Sequence, residues 1–456
     1  MPGAVAGLIG GVISGAALIQ IGALPTAASL VRADSAGADF GVHVVIATIL
    51  GAGFGVLIRH QHSGAGEALF WGLTYGALWW FLGPLTLMPL LTGGFLAWDV
   101  HSAQEAFASL LGHLLYGASM GLALAALMRR QIARASAVNV GAAIRGALAG
   151  VAAAWLITAV ANLPPGALPV GVAAGVVFAL FYPRPLDGIG PGLIRGTVYG
   201  FFVWMAGVLT VMPLVEGRGV TWSLEQARAA FGTLPGYLLI GATMAFAYQW
   251  LDGMMRLLFA DMRTGHEQEG AGTEGLRAVA RGAVAGLAGG LLFAVILARV
   301  GMLPSVAALV GSRSPATGLL AHLGIAVVIG AAYGLLFRRQ SFDLSSALGW
   351  GVSYGFLWWI LGPLTLMPIL LGRPPLWTVE AAAALFPSLI GHFAYGAGLG
   401  VVFHLLEASQ NPWWIPRSRA EATRVGHRKQ QLLTSAPALW TLVVVIALVL
   451  PVLLGM

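Results

Sequence analysis

The sequence predicts an all-α, polytopic transmembrane protein: three parallel four-helix repeats in a pseudo-three-fold arrangement and a further C-terminal helix, about thirteen spans in all. Three observations carry this. Of 456 residues, 58% are hydrophobic and 9% charged, whereas a soluble domain needs roughly 25% charged residues to cover its surface. The mean hydropathy of +0.85 requires lipid as the solvent for the outer surface, and there the backbone is satisfied only in helices or closed barrels. A sixteen-residue segment also occurs three times, and a repeated helical unit decides the architecture before topology is considered.

That segment reads YGALWWFLGPLTLMPL from Tyr75 to Leu90, YGFFVWMAGVLTVMPL from Tyr199 to Leu214 and YGFLWWILGPLTLMPI from Tyr354 to Ile369. Eight of sixteen positions are identical in all three, and thirteen between the first and third. At a constant offset of 279, Pro25 falls on Pro304, His43 on His322, Arg59 on Arg338, Trp98 on Trp377, His113 on His392 and Tyr116 on Tyr395. The second copy follows at an offset of 124 through Trp222, Gly236, Gly241 and Met244, but its Leu163–Pro164 pair comes about fifteen residues late, so it has lost most of one loop.

Taken in order, the first unit, residues 1–135, has apolar stretches at 4–24, 42–58, 70–91 and 106–128. No Lys or Arg precedes the first stretch, so it reads as a membrane helix rather than a signal peptide. The second unit, 136–262, has them at 146–163, 167–182, 195–215 and 230–250; the third, 263–408, at 281–303, 318–337, 348–371 and 385–406. Each is long enough to cross about 30 Å of hydrocarbon at 1.5 Å per residue, the shortest only marginally. A basic linker, 409–436, leads to the last helix, 437–456. Four helices per unit give the three units one orientation, as in parallel rather than inverted repeats.

The net charge of +7 would suit nucleic acid if it formed a patch, but its distribution gives it another meaning. With the N-terminus in the cytoplasm, eighteen of 24 basic residues fall on the cytoplasmic face and six, Arg32, Arg218, Arg228, Arg299, Arg313 and Arg373, on the other. This is the asymmetry of a multi-pass cytoplasmic or inner-membrane protein with its C-terminus outside, and it sets topology rather than nucleic-acid binding. In the linker, Trp413 and Trp414 precede five basic residues, a composition for anionic lipid headgroups or for docking a cytoplasmic partner; a protein partner in a membrane complex is the wider expectation.

The chemistry available is narrow. Without cysteine, disulfides, thiolate zinc sites, iron–sulfur clusters and thiol nucleophiles are excluded. No enzyme signature emerges: His60 and His62 sit in a loop beside Arg59, and no phosphate-binding loop follows a strand. No Asp, Glu, Lys or Arg lies well inside a predicted span, which argues against proton or sodium coupling. Gly72 and Gly76, with Gly196 and Gly200, and Gly351 and Gly355, are spaced for close helix packing. Pro84 and Pro89, repeated as Pro363 and Pro368, bend the third helix of a unit, and the Thr three residues before Pro89 has a hydroxyl for a freed carbonyl.

Kinked helices often line solute sites, which makes Thr86, Met88, Thr210, Met212, Thr365 and Met367 the pathway candidates. His43, His113, His322 and His392 are the candidates for a metal or haem; imidazole with thioether suits copper, and two imidazoles suit haem iron. Ala167 and Tyr237 replace the pair in the second copy. Helix arithmetic separates the two histidines of a pair in depth by about 8 Å. Trp98, Trp222 and Trp377 follow the third helix as belt residues or as a lid over an external vestibule. The expectation is a transporter or channel-like protein for a small neutral or soft solute without carboxylate coupling. A haem- or copper-handling redox subunit comes second, and a structural subunit of a larger membrane complex third.

Overall fold

A computed structural model describes residues 2–24, 35–59, 64–132, 140–161, 167–182, 188–220, 222–259, 271–338, 340–341, 343–408, 425–426 and 435–455. Pro25, Arg32, His60, His62, Leu163, Pro164, Trp413, Trp414 and nearly all of the basic linker lie outside these residues. So do Arg134, Arg184, Arg263, Arg339 and Lys429 of the orientation count.

The described chain is all-α. The first segment comprises α1 (Pro2–Gln20), α2 (Ala36–Leu57), α3 (Ala65–Leu82, running on through a π-helical turn Gly83–Leu87 into Met88–Leu91), the short α4 (Val100–Glu105) and α5 (Phe107–Ile132). Then come α6 (Val140–Ala161), α7 (Ala167–Phe181), α8 (Ile189–Val203, with a π-helical run Trp204–Val211 and Met212–Val215), the short α9 (Leu224–Ala229) and α10 (Leu234–Phe259). The third segment has α11 (Ala271–Val300), the short α12 (Leu303–Ala307), α13 (Pro315–Phe337), α14 (Leu344–Leu361, with a π turn Gly362–Leu366 and Met367–Leu370), the short α15 (Val379–Ala384) and α16 (Phe386–Ala408). The last helix, α17, starts as Ala436–Val444 and continues through a π turn to Leu454.

Eleven of these helices are long and apolar enough to span a membrane, against the thirteen expected. The α7 stretch is the shorter apolar helix Leu168–Phe181. The α3 run is unbroken from Ala65 to Leu91 but is not among the eleven. The protein is thus a multi-pass helical membrane protein.

Helix pairing follows one order in each segment: α2–α1–α5–α3, α7–α6–α10–α8 and α13–α11–α16–α14. Glycine makes the closest of these contacts. A β-carbon on Gly72 would collide with the Gly117 carbonyl oxygen, one on Gly196 with that of Gly241, and one on Gly351 with that of Gly396. Without a hydrophobic drive between helices in lipid, such close backbone approach lets van der Waals packing hold the helices together.

Three basic residues that sequence arithmetic puts at helix ends stand within helices, because the helices begin earlier than the apolar stretches do. Arg145 of α6 pairs with Asp252 of α10 and lies 5.1 Å over the Tyr248 ring. Arg281 of α11 pairs with Glu407 of α16. Arg195 of α8 is 1% exposed, with its guanidinium 5.5 Å over Tyr182. Each faces protein rather than lipid, which is how a membrane helix tolerates such a group.

The most apolar of the eleven spans, α17, is also among the least lipid-exposed, with 61% of its span buried. It packs against α3, α8 and α14, and its far end meets the short helices α4, α9 and α15. Thr441 Oγ1 lies 2.9 Å from Thr74 Oγ1 and 2.9 Å from the Phe70 carbonyl it can donate to. A helix C-terminus leaves carbonyls unpaired, and two segments supply donors: Gln104 Nε2 to Val452 O at 3.1 Å and Arg228 Nε to Leu453 O at 2.9 Å.

Candidate functional site

The third long helix of each segment changes its hydrogen-bond register at the same place. Proline has no N–H, so Pro89 leaves the Leu85 carbonyl without its helical donor; the Ala97 N–H of the following loop takes that carbonyl at 3.0 Å. Pro368 frees Leu364 O in the same way, and Leu376 N–H fills it at 2.8 Å. The helix passes this point with i+5 bonds, from Met88 N to Gly83 O, Met212 N to Gly207 O and Met367 N to Gly362 O. A π turn of this kind inside an α-helix is frequently found at functional sites.

The threonines complete the turn. Thr86 Oγ1 donates to Phe81 O at 2.8 Å, Thr210 Oγ1 to Met205 O at 3.0 Å and Thr365 Oγ1 to Ile360 O at 2.7 Å. Each hydroxyl also accepts from an indole, Trp98 Nε1 at 3.0 Å, Trp222 Nε1 at 3.1 Å and Trp377 Nε1 at 2.9 Å. The three hydroxyl protons are therefore committed to the backbone, and the three indoles are latched onto the turn. Short helices follow, capped by Asp99, Ser223 and Thr378. The methionines lie differently: Met367 and Met212 each line a cavity, and Met88 is half-buried.

The cavity at the π turn of α14 measures about 540 Å³, within the range for small-molecule sites. It is enclosed by α11, α12, α13, α14 and α16, and Phe293, His322, Trp358, Met367 and His392 are among the residues that line it. Its walls are mostly apolar. The second segment has a smaller one of about 300 Å³ at Met212 and Tyr237. In the first segment the chain corresponding to α12, residues 25–34, lies outside the described residues. Between α17, α8 and α14 the space is only about 30 Å³ and wholly apolar.

Two histidines that helix arithmetic places at different depths thus share one cavity. His392 Nδ1 lies 2.7 Å from Ser388 O, and His322 Nε2 lies 3.0 Å from Gly290 O. A carbonyl only accepts, so those nitrogens carry the protons, and in the neutral ring the opposite nitrogens, His392 Nε2 and His322 Nδ1, bear lone pairs. His392 Nε2 faces the π turn, 4.0 Å from where a β-carbon on Gly362 would stand. The Phe293 ring packs on both imidazoles, with centroids 5.0 Å from His322 and 4.7 Å from His392. His113 Nδ1 repeats the anchor at 2.8 Å from Ser109 O, and His43 Nε2 lies 3.3 Å from Ser14 Oγ. Among the described residues no His, Cys, Asp or Glu group of three forms that could hold a metal ion.

Sequence reasoning did not single out Phe293, Trp358, or the serines that anchor the histidines. The anchoring groups are the backbone carbonyls of Ser109 and Ser388, four residues before each histidine, which any residue type supplies, so no residue signal marked them. Comparison with known proteins finds no match to this chain, whether by family model, by characterised sequence or by solved structure.

Proposed function

We propose that the protein binds a small uncharged solute in the cavity of its third segment and passes it across or into the membrane, as a transporter or channel-like protein without carboxylate coupling. The observation that carries this reading is the 540 Å³ cavity built on a π-helical turn and lined by Met367, His322 and His392. Three four-helix repeats surround α17, which stands on their pseudo-three-fold axis, since α17 touches the third long helix and the short external helix of each segment. The N-terminus faces the cytoplasm, which places the cavity mouth near Arg373 on the external side. With the axis filled, passage runs through the repeats. Thr86, Thr210 and Thr365 serve it as latches for Trp98, Trp222 and Trp377, and Met88, Met212 and Met367 face the pathway. No catalytic step is assigned.

The test is solute exchange in vesicles containing the purified protein, across a panel of uncharged solutes. Acceleration of at least one solute by the wild type, abolished by Met367→Trp in a protein that still folds, supports the reading. No acceleration, or acceleration indifferent to that substitution, refutes it.

One observation favours a second reading. An imidazole that donates to a carbonyl and keeps its other nitrogen bare is also arranged as a metal ligand is, so a haem- or copper-handling role is the alternative for His322 with His392 and His43 with His113. Phe293, packed on both rings of the third-segment pair, fills space such a group would need. A Soret band or stoichiometric copper in the purified protein, lost in His113→Ala/His392→Ala, would establish that reading. Fixed partners on purification would instead favour a structural subunit.

A further inference from the structure

The third-segment cavity is lined by the hydroxyl side chains of Ser305, Ser388 and Tyr395, the last donating to Ala326 O, and by two histidines whose rings offer acceptors only. Both imidazole N–H groups are spent on backbone carbonyls, Ser388 O and Gly290 O, so what the rings offer is two acceptor lone pairs, His392 Nε2 and His322 Nδ1. Neither nitrogen has a hydrogen-bond partner among the described residues, and both rings line the cavity. The basic group on the lining, Arg373, belongs to an exposed residue at the mouth, where water screens it. Around them stand apolar groups such as Leu297, Ile325, Ile329 and Leu366.

A ligand whose polar end is a carbonyl or an ether oxygen finds no donor at the histidines. One whose polar end is a hydroxyl can give its proton to either ring nitrogen and leave the rest of its surface to the apolar wall. An anionic head would have to shed its water beside lone pairs that repel it, and a charged head of either sign loses its hydration among the apolar walls.

We propose that the cavity takes an uncharged, largely apolar amphiphile bearing a hydroxyl group, and that His392 Nε2, with His322 Nδ1, accepts the hydroxyl proton. This rests on the reading of the cavity as the solute site and adds the class of solute. The Nδ1 anchor of His392 recurs at His113, whereas the second segment has Tyr237 at that position.

The probes are farnesol, farnesyl methyl ether and farnesoic acid, three molecules with one tail and different heads, titrated onto the full-length protein in lipid nanodiscs. Farnesol binds about tenfold more tightly than the ether, the size of one hydrogen bond that a buried acceptor would otherwise lack. In His113→Phe/His392→Phe that preference falls to within about twofold while ether binding stays, which separates loss of the acceptor from loss of the fold. Equal binding of farnesol and ether by the wild type overturns the proposal and leaves the cavity as a solute site. Tighter binding of the acid, abolished by Arg373→Gln, overturns it in favour of a carboxylate amphiphile. Binding of none of the three overturns it together with the reading of the cavity on which it rests.

Discussion

Trp377 Nε1 donates to Thr365 Oγ1 at 2.9 Å, and Thr365, 1% exposed, donates in turn to the Ile360 carbonyl at 2.7 Å. One hydroxyl thereby ties the loop after α14 to the π turn within it. Proline opens the helix at Pro368, the π turn absorbs the change of register, and the indole closes over it. Thr365→Val keeps the shape and removes both bonds. At about 0.6 kcal/mol per interhelical hydrogen bond in membrane proteins, with a maximum of about 1.7, the loss is about 1–3 kcal/mol. It is read as a lower thermal midpoint in detergent, with faster hydrogen exchange in the loop at Trp377. Thr365→Ser, which retains the hydroxyl, restores most of it.

The Gly351–Gly396 contact leaves no room for a methyl group. Gly351→Ala forces α14 and α16 apart and costs about 1–3 kcal/mol, as overpacking of a close-packed contact does. Gly83→Ala meets nothing within 4 Å and is the matched control, with a change within about 0.5 kcal/mol. Thermal denaturation of the two variants in the same detergent distinguishes them.

Arg145 and Asp252 are largely buried, with side chains 18% and 11% exposed. Asp252→Ala leaves a cation without its partner between α6 and α10 and costs about 3–5 kcal/mol. Exchanging the pair as Arg145→Asp/Asp252→Arg recovers part of that loss, whereas a purely steric effect would make the double variant worse than either single one.

Asp99 caps α4, accepting from the Ser102 hydroxyl at 2.6 Å and the Ser102 N–H at 2.9 Å. Those bonds, the hydroxyl first, hold its pKa below the ordinary 3.8. A carboxyl with a depressed folded pKa contributes stability that is present above the unfolded value and lost as pH falls through the folded one. The α4 cap therefore loosens on acidification below the ordinary carboxylate range, while α9 and α15, capped by Ser223 and Thr378, do not. Hydrogen exchange of the three short helices across that window should show protection lost in α4 alone; Asp99→Ser should remove the pH dependence.

How much of this could be read from the sequence differs by element. The glycine spacing at Gly72 and Gly351 was legible because a missing side chain has one meaning wherever helices touch in lipid. The proline positions gave the break in the third long helix, but not its repair: the π turn depends on where Thr86 and Trp98 meet, twelve residues apart, and neither propensity nor period encodes that. The place of α17 was hidden for a different reason. Its all-round apolar surface reads the same whether lipid or protein covers it, and 61% of its span is buried whereas α2, also strongly apolar, has 17%. Of the candidate site, His322, His392 and Met367 were legible as residues that recur, while their convergence on one cavity was not. It depends on α13 and α16 both packing on α11, whose Phe293 meets both imidazoles, which depth counting along single helices cannot supply.

The chain has no cysteine, so single introduced thiols report on its interior without background. The most direct measurement pairs Met367→Cys, in the third-segment cavity, with Ile446→Cys, buried in α17. Both are exposed to a small uncharged methanethiosulfonate from outside reconstituted vesicles, with labelling and solute exchange recorded together. The cavity thiol should react and exchange should fall with it, while the α17 thiol stays unmodified until the protein is unfolded. A reactive Ile446→Cys whose labelling stops exchange, beside an inert Met367→Cys, would place the path along α17 and contradict the account.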